Sequence, residues 1–161
     1  MAIIMGLHNL LTVAALTLLP ALELRASIPW GILAAGEPWL MVLIVAVLAN
    51  IALGPIIYFC LDKFVNIVTK VKFIEDIYRF LVKRTQKRAE QAIEKYGFLG
   101  ITLFVAVPLP GSGSWTGALA AYLMGLGYKR FVLANTIGVI IAGILVTALT
   151  LLGTSAYAMV A

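Results

Sequence analysis

Two short polar stretches interrupt an otherwise apolar chain. The first is Glu23-Leu24-Arg25-Ala26-Ser27-Ile28-Pro29-Trp30-Gly31, and Glu23 and Arg25 are the only charges in the first 36 residues. A charge near a bilayer centre costs about 2.5–3.5 kcal/mol on insertion scales, so such residues are usually paired or functional. A guanidinium is a fixed cation whose fork suits phosphate or carboxylate. Desolvation disfavours an ionised carboxyl, so Glu23 is a candidate for taking up and releasing a proton. The structural alternative is an internal Glu23–Arg25 ion pair pinning a turn, or a turn set at the headgroups.

The second stretch is Val107-Pro108-Leu109-Pro110-Gly111-Ser112-Gly113-Ser114-Trp115-Thr116-Gly117. Proline lacks an N–H and clashes with the preceding turn, so Pro108 and Pro110 end a helix. Gly111 and Gly113 relax the backbone, and Ser112 or Ser114 can cap a new helix starting near Trp115. Irregular backbone at membrane depth is tolerated only when packed in protein or lining a wet cavity. Free N–H groups at a helix start favour anions. Gly111, Ser112, Gly113 and Ser114 could thus cradle a phosphate or sulfonate, or simply cap and pack closely. Arg25, Ser27, Trp30 and Trp115 complete the expected substrate-binding set, with Glu23 as the coupling carboxylate. The tryptophans either stack on a ligand or pack.

Other chemistries have little support. His8 is the sole histidine, whereas a metal site needs several ligands. Cys60 has no partner for an internal disulfide and reads as a small hydrophobe. Asn50 and Asn135 fall in apolar runs, where amides commonly bond between helices. Ser114-Trp115-Thr116-Gly117 is not a nucleophile elbow. No cofactor is expected.

The elements that hold these stretches belong to a membrane. Of 161 residues, 63% are hydrophobic and only 12% charged, about half the charge of a soluble domain. Mean hydropathy is +1.06. The length suits one membrane domain. No Lys or Arg precedes Arg25, so the start lacks a basic n-region and Met1–Leu19 reads as mature structure. Leu40–Leu61 and Phe131–Leu152 are long enough to span. Trp30–Gly36, Phe98–Val107 and Thr116–Leu126 are too short, because crossing takes about 20 residues. Between the halves, residues 62–97 predict a cytoplasmic amphipathic helix, with Phe64, Ile67, Val68, Val71, Ile74, Ile77, Tyr78 and Leu81 at helical spacing. Gly97 is its expected stop. Nine of the twelve Lys and Arg residues fall there against five acids, which marks the cytoplasmic side and makes nucleic acid an unneeded explanation.

Gly31-Ile32-Leu33-Ala34-Ala35 aligns with Gly117-Ala118-Leu119-Ala120-Ala121 at an offset of 86, and both copies follow a proline-containing break and precede a long span. If residues 62–97 and Lys129-Arg130 share one side, residues 98–126 enter and leave from that side. The expected fold is therefore all-α. Two inverted re-entrant hairpins are each followed by a transmembrane helix, giving a first repeat over 1–61 and a second over 98–161. Ligand sites in such folds lie at the repeat interface near midplane. A competing topology makes Met1–Leu19 an ordinary crossing helix.

At both breaks the chain resembles the small multidrug export family. The resemblance lies in Glu23–Gly31 and in Pro108–Ala121. More distantly the chain is similar to the DedA, or SNARE-associated, membrane proteins. That likeness implies two opposed hairpins and movement of lipid phosphates with ion coupling. It matches Glu23 to an acidic residue of the first hairpin. The arginine that DedA proteins carry beside the second Pro-Gly has no counterpart among Val105, Ala106, Val107 and Ser114. The resemblance implies a membrane transporter rather than an enzyme, moving an amphipathic, plausibly anionic molecule with proton coupling. The alternative is a non-transporting scaffold whose basic helix binds lipid. Expected partners are membrane lipids, the substrate, protons and, because the bundle is thin, a second copy of the chain.

Overall fold

A computed structural model describes residues 2–20, 22–68, 96–109 and 112–160. All regular structure among them is helical. In chain order it comprises α1 (Ala2–Leu18), α2 (Glu23–Pro29) running into a π-helical turn (Trp30–Ala34), α3 (Trp39–Val68), α4 (Tyr96–Ala106), α5 (Ser114–Leu123) and α6 (Tyr128–Val160). Residues 69–95 of the expected amphipathic helix, with Pro110 and Gly111, lie outside the described residues.

Two helices dominate. At 1.5 Å per residue, α3 and α6 are about 45 and 50 Å long, more than the ~30 Å hydrocarbon layer. Only 28% and 33% of their most apolar windows are buried. The rest of each helix turns apolar side chains outward, among them Ile44, Leu48 and Ile56 on α3 and Leu133, Ile144 and Leu149 on α6. Exposed apolar faces of that extent suit contact with lipid or with another protein surface. By contrast α4 and α5 are about 16 and 15 Å long and cannot cross alone.

Several boundaries differ from the sequence expectation. Pro29 closes α2, and the chain continues into a π turn in which Ala35 N–H donates to Trp30 O at 3.0 Å. Gly36, at φ 67°, ends this piece. The first span runs past Leu61 through Asp62 and Lys63 to Val68. Gly97 is the second described residue of α4, which a single glycine allows at a cost of only about 1 kcal/mol relative to alanine, and the helix it is expected to stop lies outside the described residues. After α5, Gly125 at φ 74° forms a Schellman closure, in which Leu126 N–H bonds Ala121 O at 2.9 Å and Gly125 N–H bonds Tyr122 O at 3.0 Å.

The core sits where the short elements wedge between α3 and α6. It includes Val13 of α1, Ile28 of α2, Val42 and Ala46 of α3, Val105 of α4, Ala118 and Ala121 of α5, and Phe131 and Val139 of α6. Without a strong solvophobic force between helices in lipid, close backbone approach supplies the attraction. Gly143 of α6 lies against Val47, Gly138 of α6 against Thr102 O of α4, and Gly117 of α5 against Val105. Gly54 of α3 lies against the amide of Asn135, where an added Cβ would sit 2.7 Å from Cγ. Gly54→Ala is therefore expected to cost about 1–3 kcal/mol by pushing Asn135 out of place. Thermal unfolding in detergent measures this, and an Asn135→Ala background should remove most of the penalty.

Candidate functional site

The two breaks meet. Glu23, 4% exposed, sends its carboxylate from α2 to the start of α5. Its Oε2 accepts from Ser114 N–H and its Oε1 from Trp115 N–H, both at 3.2 Å. A carboxylate on two free N–H groups at a helix start gains both charge-assisted bonds and the helix dipole. Neither serine caps α5, contrary to expectation. Glu23 does so, together with Thr116 Oγ1, which accepts from Gly113 N–H at 3.1 Å. Gly113 is the residue that allows the approach, because a Cβ there would collide with the Glu23 carboxylate. Glu23 itself sits at φ 42°, a left-handed conformation costing a non-glycine residue roughly 1–2 kcal/mol. The turn after α1 thus holds a strained residue where its side chain reaches across to the other half.

Arg25 lies two residues on, so it leaves α2 in a different direction. Its Nη2 donates to Ser112 Oγ at 2.9 Å and to Val107 O at 3.5 Å. Ser112 Oγ lies 2.6 Å from Val107 O and 3.0 Å from Leu109 O, which locks the bend after α4. Each charge of the first break therefore engages the second break. Beside Arg25 opens a cleft of 630 Å³, walled by Pro29 and Leu33, by Pro108, and by Val146, Leu149 and Thr150 of α6. Among the described residues lining it, Arg25 is the only charged one. The volume falls in the ~300–1,000 Å³ range of small-molecule sites.

A buried amide layer backs the junction. Ser114 Oγ donates to Asn135 Oδ1 of α6 at 2.8 Å and approaches Asn50 O of α3 at 3.4 Å. Asn50 Oδ1, Asn135 Nδ2, Thr147 Oγ1 and Arg25 Nε are buried without a hydrogen-bond partner among the described residues.

A family model described as "Putative small multi-drug export protein" matches residues 23–145. The chain belongs to this family. No curated protein and no solved structure matches it. Membership implies an exporter rather than an enzyme, and with two helices able to cross a bilayer it indicates a membrane location. The match opens on Glu23 and takes in both breaks, whereas α1 lies outside it.

The remaining candidate residues disperse around the junction. Ser27 is fully buried, accepts from Thr17 Oγ1 of α1 at 2.7 Å, and is not among the residues lining the cleft. Trp30 packs against the core. Trp115 donates from Nε1 to Leu18 O at 3.2 Å and lines a separate apolar cleft with Leu53, Ile57 and Cys60. Gly111 lies outside the described residues. The α6 wall of the cleft was not anticipated. Its signal is the spacing of Thr147, Thr150 and Thr154, a polar stripe at helical period on an apolar span.

Proposed function

We propose that this export protein moves amphipathic organic anions across its membrane, binding them in the cleft beside Arg25 and coupling the movement to protonation of Glu23. The observation that supports this best is the pair of bonds from the Glu23 carboxylate to Ser114 and Trp115, across the two breaks. An ionised Glu23 latches α2 to α5. A neutral carboxyl is a weaker acceptor for two N–H groups, so proton uptake loosens the latch beside the ligand. Arg25 supplies the fixed positive charge for an anionic head, and Leu33, Val146 and Leu149 supply an apolar wall for the tail.

In this reading α1–α2 and α4–α5 are inverted re-entrant hairpins entering from opposite faces. The depth of Ser114 supports it. Asn50 lies about 16 Å along α3 from Trp39, and Asn135 about 10 Å along α6 from Tyr128. Together these give about 26 Å, close to the ~30 Å layer, as expected if the two helices start at opposite interfaces. The basic run in 62–97 then faces the cytoplasm.

Reconstitution into vesicles tests the proposal, with 1-anilinonaphthalene-8-sulfonate as the probe anion and ethidium as the cationic control. Saturable flux of the anion, accelerated by a pH gradient, is expected. Glu23→Gln should lower the pH-driven component at least about tenfold while helix content is unchanged. Full pH-driven flux in that variant would exclude coupling through Glu23. Absence of saturable flux in the native protein would favour a lipid-organising role instead.

A further inference from the structure

Glu23 is sealed from the surroundings, so any proton that reaches it needs a carrier inside the protein. A small internal cavity of 10 Å³ lies beside it, lined by Glu23, Leu24 and Arg25 of α2, Asn50 of α3, Val105 and Pro108, and Val139, Ala142 and Val146 of α6. That is room for one water molecule. Two of its lining residues carry buried polar atoms without partners among the described residues, Asn50 Oδ1 and Arg25 Nε. Asn50 is only 1% exposed. Each Glu23 oxygen has one N–H partner and keeps capacity for another. Three of the residues lining this cavity, Arg25, Pro108 and Val146, also line the 630 Å³ cleft. The cleft and the cavity are therefore neighbours with a shared wall.

From this we infer that one bound water, held by Asn50, carries protons between the cleft and Glu23. This rests on the coupling role of Glu23 proposed above. A water here donates to Asn50 Oδ1 and to a Glu23 oxygen and accepts from Arg25 Nε–H, three bonds in all, the usual number for a buried water. A metal cation fits poorly, because Arg25 brings a positive charge and a donor to the same space. Among the described residues, the charged groups lining the cavity are Glu23 and Arg25; α3 contributes an amide, and the Val105–Pro108 and α6 walls are apolar. The step balances simply. A hydronium in the cleft passes a proton to the bound water, which releases another of its protons to the Glu23 carboxylate. One neutral carboxyl forms and the bound water is regenerated. Asn50 is thus a positioning residue that keeps the carrier in register.

Two variants test this without touching Glu23 or Arg25. Asn50→Leu removes the amide oxygen and fills the space, and Ala142→Val fills it from α6 while leaving Asn50 intact. Both are measured as folded protein in vesicles with the sulfonate probe. Each should slow pH-driven flux about tenfold or more, with equilibrium probe affinity within about twofold of the native value. Asn50→Ser, which keeps an oxygen and leaves room for water, should retain most of the rate. Infrared spectroscopy gives a second readout. The carboxyl band that disappears in Glu23→Gln should exchange deuterium about tenfold more slowly in the two filling variants. Native rates in both variants, with Glu23→Gln inactive, would overturn the water relay and leave coupling intact. Native pH-driven flux in Glu23→Gln would overturn the coupling itself.

Discussion

Gly113→Ala should separate the two halves of the site. An alanine Cβ there lands on the Glu23 carboxylate, against Oε2 and 2.6 Å from the carboxyl carbon. The backbone is not the obstacle. Gly113 has φ 175° and ψ −166°, an extended conformation open to any residue. All of the cost arises from Glu23, which must move off Ser114 and Trp115 and leave two N–H groups at the start of α5 unpaired. Overpacking costs about 1–3 kcal/mol and each buried orphan donor a further ~1–3 kcal/mol, so a total loss of about 3 kcal/mol or more is expected. In a Glu23→Ala background the space is vacant, and the same substitution should cost less than about 1 kcal/mol. Denaturant unfolding of the four proteins in detergent micelles measures this coupling of about 2 kcal/mol or more. Additive costs would mean that the carboxylate does not sit on Gly113. The single variant should also lose pH-driven flux, because Glu23 is displaced without being neutralised.

The collision at Gly113 shows which parts of the site local sequence could reveal. Pro108, Pro110 and the glycines around them encode the second break by local sterics, and α4 stops at Ala106 as those prolines require. The identity of the helix cap is a different matter. Glu23 reaches Ser114 and Trp115 across 91 and 92 residues of sequence. No local rule ranks a distant carboxylate above the adjacent serines. Once Glu23 occupies the N–H groups, Ser114 is free to bond Asn135 and Ser112 to receive Arg25. The same long-range competition decided between an ion pair within the first break and separate engagement of Glu23 and Arg25 with the second. Residues two apart on a helix diverge, which favours separate partners once a second surface is present.

Helix boundaries failed for a related reason. Glycine and proline weights are small beside tertiary packing. Gly97 is helical within α4 although glycine is a weak helix former, and after Pro29 the chain enters a wider turn whose Gly31 packs against Val13 and Val42. The long spans, in contrast, were legible from length and hydropathy alone, because a bilayer imposes its thickness on any helix that crosses it. The cleft needed both kinds of information. Arg25 stands out in the sequence, but its apolar wall comes from α6, more than a hundred residues away.

Arg25→Met should lower affinity for the sulfonate probe about 10- to 100-fold. A charge-assisted hydrogen bond is worth roughly 1.5–3 kcal/mol, and no other described residue lining the cleft carries charge. Methionine keeps an apolar stem of similar length in a cleft that Pro29 and Val146 also line, without the guanidinium. The fold should tolerate the change. Ser112 Oγ retains Val107 O and Leu109 O as acceptors, and removing a partly buried cation offsets part of the lost bond. Arg25→Lys distinguishes charge from geometry. A lysine ammonium keeps the charge but cannot hold Ser112 and a ligand head in the planar fork of arginine, so an intermediate loss of about fivefold is expected. Ethidium binding should be unchanged or stronger in Arg25→Met, since a cation gains nothing from the guanidinium. Fluorescence titration in lipid nanodiscs gives all of these affinities. Raising salt should weaken native binding and leave Arg25→Met unaffected, because screening acts only on the charge that the substitution removes. Native affinity in Arg25→Met would place anion recognition elsewhere, and the cleft would then serve only the apolar part of the ligand.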